Sequence, residues 1–249
     1  MRAPRFAVTF APLLLCVALL FPPPDGRAAS LSKNLPLSAR DMEFYYQRKN
    51  PEVLPSMLRA FDRQGKFAHG EIRLMVGAFL ATVLRENPKA ASRVLPPESS
   101  MSHDGRRALA WMTHLAGLAN EGELLASLLT GADAALHAQI RNSPNNLLKW
   151  DIYKEKSVLQ MYWAAYFASG GNAFLDAIIG AALRYSRLNS TGRQHDAAFP
   201  VCAAAAASLY ELAPRHADVR ARLSQTLGRT SGAESETLRV ILRQAGAAD

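Results

Sequence analysis

The segment Val158–Leu183 constrains this chain more than any other, because it is long and apolar and yet broken at its midpoint. Val158, Leu159, Met161, Tyr162, Trp163, Tyr166 and Phe167 leave no wide polar face on a helix, so the first half reads as a helix buried on most sides. Ser169, Gly170, Gly171 and Asn172 interrupt it. Phe174, Leu175, Ile178, Ile179, Ala182 and Leu183 then restart the pattern at spacings of three and four. The break, together with Asp176, divides the stretch into two short helices and removes the unbroken run a membrane span needs. The expected element is an αα-hairpin at the centre of a helical stack, with Gly170 as its turn residue.

The same helix-break-helix unit recurs. Breaks fall at Asn50-Pro51, Asn87-Pro88, Ala119-Asn120 and Ala213-Pro214. Asn caps a helix, Pro suits its first position and Glu52 favours its positive end. Helices are expected over 39–49, from Pro51 to Gln64 with Gly65 beyond its end, and over 71–86, 89–95, 103–118 and 121–129. Further helices are expected over 132–140, 196–211 and from Pro214 to Leu227, with a last one capped by Thr230 or Ser231. Arg141–Asp151 is the longest loop and carries an exposed-looking Trp150. Ala and Leu dominate while Val, Ile and Thr are sparse, which favours helix over sheet. The fold class is therefore all-α. Its expected form is a single domain over 29–249 of stacked antiparallel helical hairpins, a degenerate α-solenoid, because each hairpin must bury its apolar side on a neighbour. An orthogonal helix bundle is the alternative. The array is like a tetratricopeptide one in form, but the fixed-offset signature of that repeat is absent.

Residues 1–28 read as a secretory signal peptide. Arg2 and Arg5 precede an uncharged apolar run from Phe6 to Phe21, and Gly26, Arg27 and Ala28 follow Pro22, Pro23 and Pro24 with small residues at the inspected positions. The expected location is periplasmic or secreted, with membrane anchoring if the signal stays uncleaved. Cys16 leaves with the signal, so Cys202 remains alone, within an alanine run, as a small buried hydrophobe.

The formal net charge is +8. Loss of Arg2, Arg5, Arg27 and Asp25 with the leader leaves +6, mostly arginine, with Arg184, Arg187, Arg193, Arg215, Arg220, Arg222, Arg229, Arg239 and Arg243 crowded into the C-terminal third. A basic exported chain suits an anionic surface or an acidic partner, and no nucleic-acid motif is present. Phosphate-loop, dinucleotide and nucleophile-elbow patterns are absent, as are paired His or Cys at metal-ligand spacing. The six histidines are dispersed; His103 and His114 share a helix face three turns apart, too far to chelate one metal. Glu121 and Glu123 open a helix, where carboxylates serve its dipole. No catalytic, cofactor or metal residue is selected. Aromatics next to cations mark the expected interaction surface: Tyr45 and Tyr46, and Trp150 and Tyr153 among Lys149, Lys154 and Lys156.

Two segments, FYYQRKNPEVLPSMLRAF (Phe44–Phe61) and VLQMYWAAYFASGGNAFLDAII (Val158–Ile179), resemble a family of exported α-helical proteins of Gram-negative bacteria. The resemblance covers about a sixth of the chain. It implies an envelope helical-repeat fold and carries no activity or site residue with it. The function expected is a non-enzymatic module that binds or scaffolds a protein or peptide in the cell envelope. The alternatives are an enzyme acting on envelope polymer with a site assembled only in the fold, and a peripheral membrane protein held by the basic C-terminal third.

Overall fold

A computed structural model describes residues 39–246. The expected signal peptide and Cys16 lie outside the described residues. Among the described residues all regular structure is helical and no strand occurs. None of the described helices is long and apolar enough to cross a membrane. The described residues divide into two compact units, 39–181 and 182–246.

The first unit contains α1 (Ala39–Glu43), α2 (Leu54–Arg63), α3 (Gly70–Glu86), α4 (Ala91–Val94), α5 (His103–Ala116), α6 (Glu121–Leu128), α7 (Ala134–Asn142), α8 (Lys156–Ser169) and the start of α9 (Asn172–Ser190). Helix α3 is its centre. Nine consecutive residues, Val76–Leu84, are buried, so this helix is enclosed on all sides. Both α5 and α8 pack along it. Helix α5 comes close at Gly77, where a Cβ would be in ordinary van der Waals contact with Trp111 Cβ at 3.5 Å and the Met112 backbone nitrogen at 3.6 Å. The centre of this unit is thus α3, with the expected aromatic helix α8 packed on it.

Local boundaries follow capping chemistry. Asn50 accepts the Glu52 N–H, as expected, but Pro51–Val53 form a 3-10 turn that leads into α2. The expected helix over 39–49 stops at Glu43 and continues as a 3-10 turn at Tyr45–Gln47. Gly65, Gly117 and Gly170 each have φ between 63° and 73°, so each closes a helix in the left-handed region where Cβ-bearing residues are strained. The Gly170 turn stands where the sequence placed it.

The second unit contains the end of α9, α10 (Phe199–Leu212), α11 (Ala217–Leu227) and α12 (Gly232–Gln244). Helix α12 packs on both α10 and α11. Two expected starts shift. Asp196 accepts the Ala198 N–H at 2.9 Å and so belongs to a turn, and α10 starts at Phe199 with Pro200 in its first turn. Pro214 lies in the turn after α10, and α11 starts at Ala217 behind His216.

Candidate binding cleft

One face of α3 lines a cleft of about 270 Å³ in the first unit. Ala78, Ala81, Thr82, Arg85 and Glu86 fall at the i, i+3, i+4, i+7 and i+8 positions of one helical stripe. Small residues keep its floor low, and the charged pair closes its end. Leu115 from the end of α5, Asn146 and Leu147 from the α7–α8 connection, and Ser169, Gly171 and Phe174 from the α8–α9 turn complete the walls.

Three side chains fix the connection that supplies Asn146. His114 is buried and engages both ring nitrogens: Nδ1 pairs with Glu121 Oε1 at 2.6 Å, and Nε2 donates to the Ser143 carbonyl at 2.9 Å. Trp150 Nε1 donates to the Pro144 carbonyl at 2.7 Å. Arg85 Nη2 donates to the Asn145 carbonyl at 2.6 Å, and its Nε donates to the Leu115 carbonyl at 2.8 Å. Three consecutive carbonyls of an irregular segment are thus held by donors from α5, from α3 and from Trp150 itself. This gives the segment the fixed geometry that its sequence alone does not supply.

The electrostatics of the cleft centre on Arg85. Partial burial lowers its pKa from the ordinary arginine value. Among the described residues no carboxylate pairs with it; its partners are the two carbonyls. Glu86 is different, because Lys49 Nζ lies 2.6 Å from its Oε2 and balances its charge. Thr82 Oγ1 spends its proton on the Ala78 carbonyl at 2.8 Å. Ser169 Oγ donates to Ala165 and accepts the Gly171 N–H at 2.9 Å. Asn146 Oδ1 accepts the Leu148 N–H at 3.0 Å, which leaves its amide NH₂ as the polar group it can offer. The arrangement combines apolar walls, one uncompensated cation and one amide donor.

The aromatics expected at the surface are placed otherwise. Tyr45 is only 4% exposed and meets Phe79 edge-on, with centroids 5.2 Å apart. Its ring is core, and burial, aided by the Glu86 charge, pushes its hydroxyl up to about 12. It is withdrawn from the expected surface. Tyr46 is half-buried against the Gly170 turn and lies 5.3 Å from Tyr166. Trp150, expected exposed, is half-buried edge-on to Trp111 at 6.0 Å, and its own carbonyl accepts the Tyr162 hydroxyl at 3.1 Å. Tyr153 is half-buried, while Lys149, Lys154 and Lys156 are exposed. None of these seven lines the cleft, although Tyr46 and Trp150 brace two of its walls.

Arg85 and Asn146 are not singled out by sequence, and Phe174 reads there only as part of an apolar helix face. The available signal was the small-residue stripe Ala78, Ala81 and Thr82 running into Arg85 on a helix otherwise built of large apolar residues. Elsewhere in this unit, buried Asp133 gathers the Thr130 N–H and hydroxyl, His103 and Arg107, the last at 2.7 Å. In the second unit Arg184, Arg187, Arg193, Arg239 and Arg243 each have a carboxylate partner. Among the described residues no three His, Cys, Asp or Glu side chains converge as metal ligands would. No family model, curated protein or solved structure matches this chain.

Proposed function

We propose that this protein is an exported, non-enzymatic binding module that takes a peptide segment of an envelope partner into the cleft at Arg85. The observation that carries the reading is an apolar cleft whose one cation, Arg85, is held in place by two carbonyls and has no carboxylate partner among the described residues. Ligand sites combine such walls with a few fixed polar groups. The helices serve in this reading as stacked hairpins. The packing of α5 on α6 and of α11 on α12 supports that, while the pairing of α3 with the sequence-distant α8 is a bundle-like feature. In the second unit Arg184, Arg187, Arg193, Arg239 and Arg243 share the carboxylates of Asp196, Glu234 and Glu236, which leaves less of their charge to an anionic membrane than the arginine count suggests.

The test is titration of the isotope-labelled mature chain with a pool of random hexapeptides. Amide shifts centred on Thr82, Arg85, Asn146 and Gly171 are expected. Their absence at millimolar peptide would overturn the reading. Export is tested separately by sequencing the mature N-terminus, expected near residue 29.

A further inference from the structure

We infer that the cleft recognises the free C-terminal carboxylate of a peptide that ends in an apolar residue. This rests on the peptide-binding reading above and narrows it.

The donors of Arg85 decide the ligand's charge. Its Nε and one Nη2 hydrogen form a fork that is already used on the Leu115 and Asn145 carbonyls. The other edge, formed by Nη1 and the second Nη2 hydrogen, remains for a ligand, and that edge matches the two oxygens of a carboxylate. The two carbonyls hold the plane of the guanidinium, so little side-chain freedom is left to lose on binding. They bring no formal negative charge. The guanidinium is only partly withdrawn from water and has no carboxylate partner among the described residues, and a ligand carboxylate supplies that counter-charge. The amide NH₂ of Asn146 is a second donor on the same cleft.

The remaining groups distinguish a peptide end from a simple fatty acid. Thr82 Oγ1 has given its proton to Ala78 and can only accept, which suits the last N–H of a peptide and finds no partner in an acyl chain. Leu115, Leu147 and Phe174 provide an apolar wall for one side chain. At about 270 Å³ the cleft lies just below the usual size of ligand sites, which suits a single terminal residue and not a long folded ligand. Glu86 at the same end is paired with Lys49 at 2.6 Å, which offsets its repulsion of a carboxylate on Arg85. Capture of a chain terminus by fixed donors is an established mode of peptide recognition.

The test measures binding of the mature chain to a labelled tetrapeptide ending in leucine, as free acid and as C-terminal amide, with hexanoate as competitor. The free acid is expected to bind roughly tenfold or more tighter than the amide, as a charge-assisted bidentate contact implies. Arg85→Lys and Asn146→Ala are each expected to shrink that preference, with melting temperatures confirming that both variants fold. Equal affinity of acid and amide overturns the carboxylate inference and leaves peptide binding standing. Failure of both peptides to bind overturns both readings. Hexanoate competing as well as the peptide acid overturns the assignment to a peptide end. An undiminished acid preference in both folded variants overturns the assignment of these donors. The acid–amide comparison on the unaltered chain decides the matter if either variant does not fold.

Discussion

Arg85 Nη2 donates to the carbonyl of Asn145 at 2.6 Å, joining the end of α3 to an irregular segment sixty residues further along the chain. The contact makes Arg85 a brace as well as the cation of the cleft. Arg85→Ala should therefore loosen the segment before it unfolds the unit. The arginine is exposed overall, so the loss is placed below the range for a buried charged hydrogen bond, at about 1 kcal/mol. Hydrogen exchange at the Lys149 and Trp150 amides, which donate to Asn146 and Leu147, should accelerate roughly fivefold while α3 amides keep their protection. Uniform acceleration across α3 would show that Arg85 holds the fold and not the segment.

His114 braces the same segment from the buried side. Its removal leaves the Ser143 carbonyl and the Glu121 carboxylate without their partner. His114→Ala should cost about 2 kcal/mol in urea unfolding, more than Arg85→Ala, because the imidazole is 5% exposed and leaves a cavity. Equal costs for the two variants would contradict that ranking.

Gly170 offers a steric prediction with an internal control. Gly65 and Gly170 have similar positive φ, but a Cβ at Gly65 meets open space, whereas at Gly170 it would lie 3.1 Å from Tyr46 Cδ2. Gly65→Ala should cost about 1 kcal/mol for the backbone alone. Gly170→Ala should cost more, and the excess should fall in a Tyr46→Ala background, measured as a double-mutant cycle by thermal melting. An excess that persists without Tyr46 would place the strain elsewhere.

The sequence made the helical class and the Gly170 turn readable because both are local. Residues 158–169 have helical spacing, and a small-residue pair must follow where a chain reverses. Tyr45 and Trp150 misled for a common reason. Adjacent charges and turn residues suggested solvent, yet Phe79 and Trp111, distant in sequence, cover their rings. The cleft was illegible on similar grounds. Its α3 stripe is periodic and could be read, but Leu115, Asn146 and Phe174 meet it only through tertiary packing. In sequence Glu121 only serves its helix dipole and His114 has no partner, and only the fold brings them together.

Gly105 carries a close contact that sequence gave no reason to expect. It sits in the first turn of α5, where Ser102 accepts its N–H at 3.1 Å. Asp62 in turn accepts the Ser102 N–H at 2.7 Å and the Ser102 hydroxyl. A Cβ on Gly105 would lie 2.5 Å from Asp62 Oδ1 and 2.9 Å from Met101 Cε. Gly105→Ala should therefore cost about 1–3 kcal/mol, although alanine is the better helix former. In an Asp62→Ala background the same change should become nearly neutral. A neutral Gly105→Ala in the unaltered chain, read by urea unfolding, would mean that Asp62 yields freely and does not anchor the cap.

Asp133 sets an acid limit to stability. Burial alone would raise its pKa, but the Thr130 N–H, His103, Arg107 and the Thr130 hydroxyl outweigh burial and hold it well below the usual carboxylate range. A folded pKa below the unfolded one gives a contribution fully present above the unfolded value of about 4 and lost as pH falls from there toward the folded value. Asp133→Asn keeps an acceptor for Thr130 but takes the counter-charge from Arg107, which is 29% exposed and can recover some solvation. The expected cost at pH 7 is about 2 kcal/mol, a drop of about 4–8 °C in melting temperature for a chain of this size. The difference between the two proteins should hold from pH 7 to about 5 and narrow below about 4, because the unfolded chain's Asp133 then takes up a proton that the folded carboxylate does not. Melting curves that stay parallel down to pH 2.5 would show that Asp133 does not supply the acid-sensitive part of the stability.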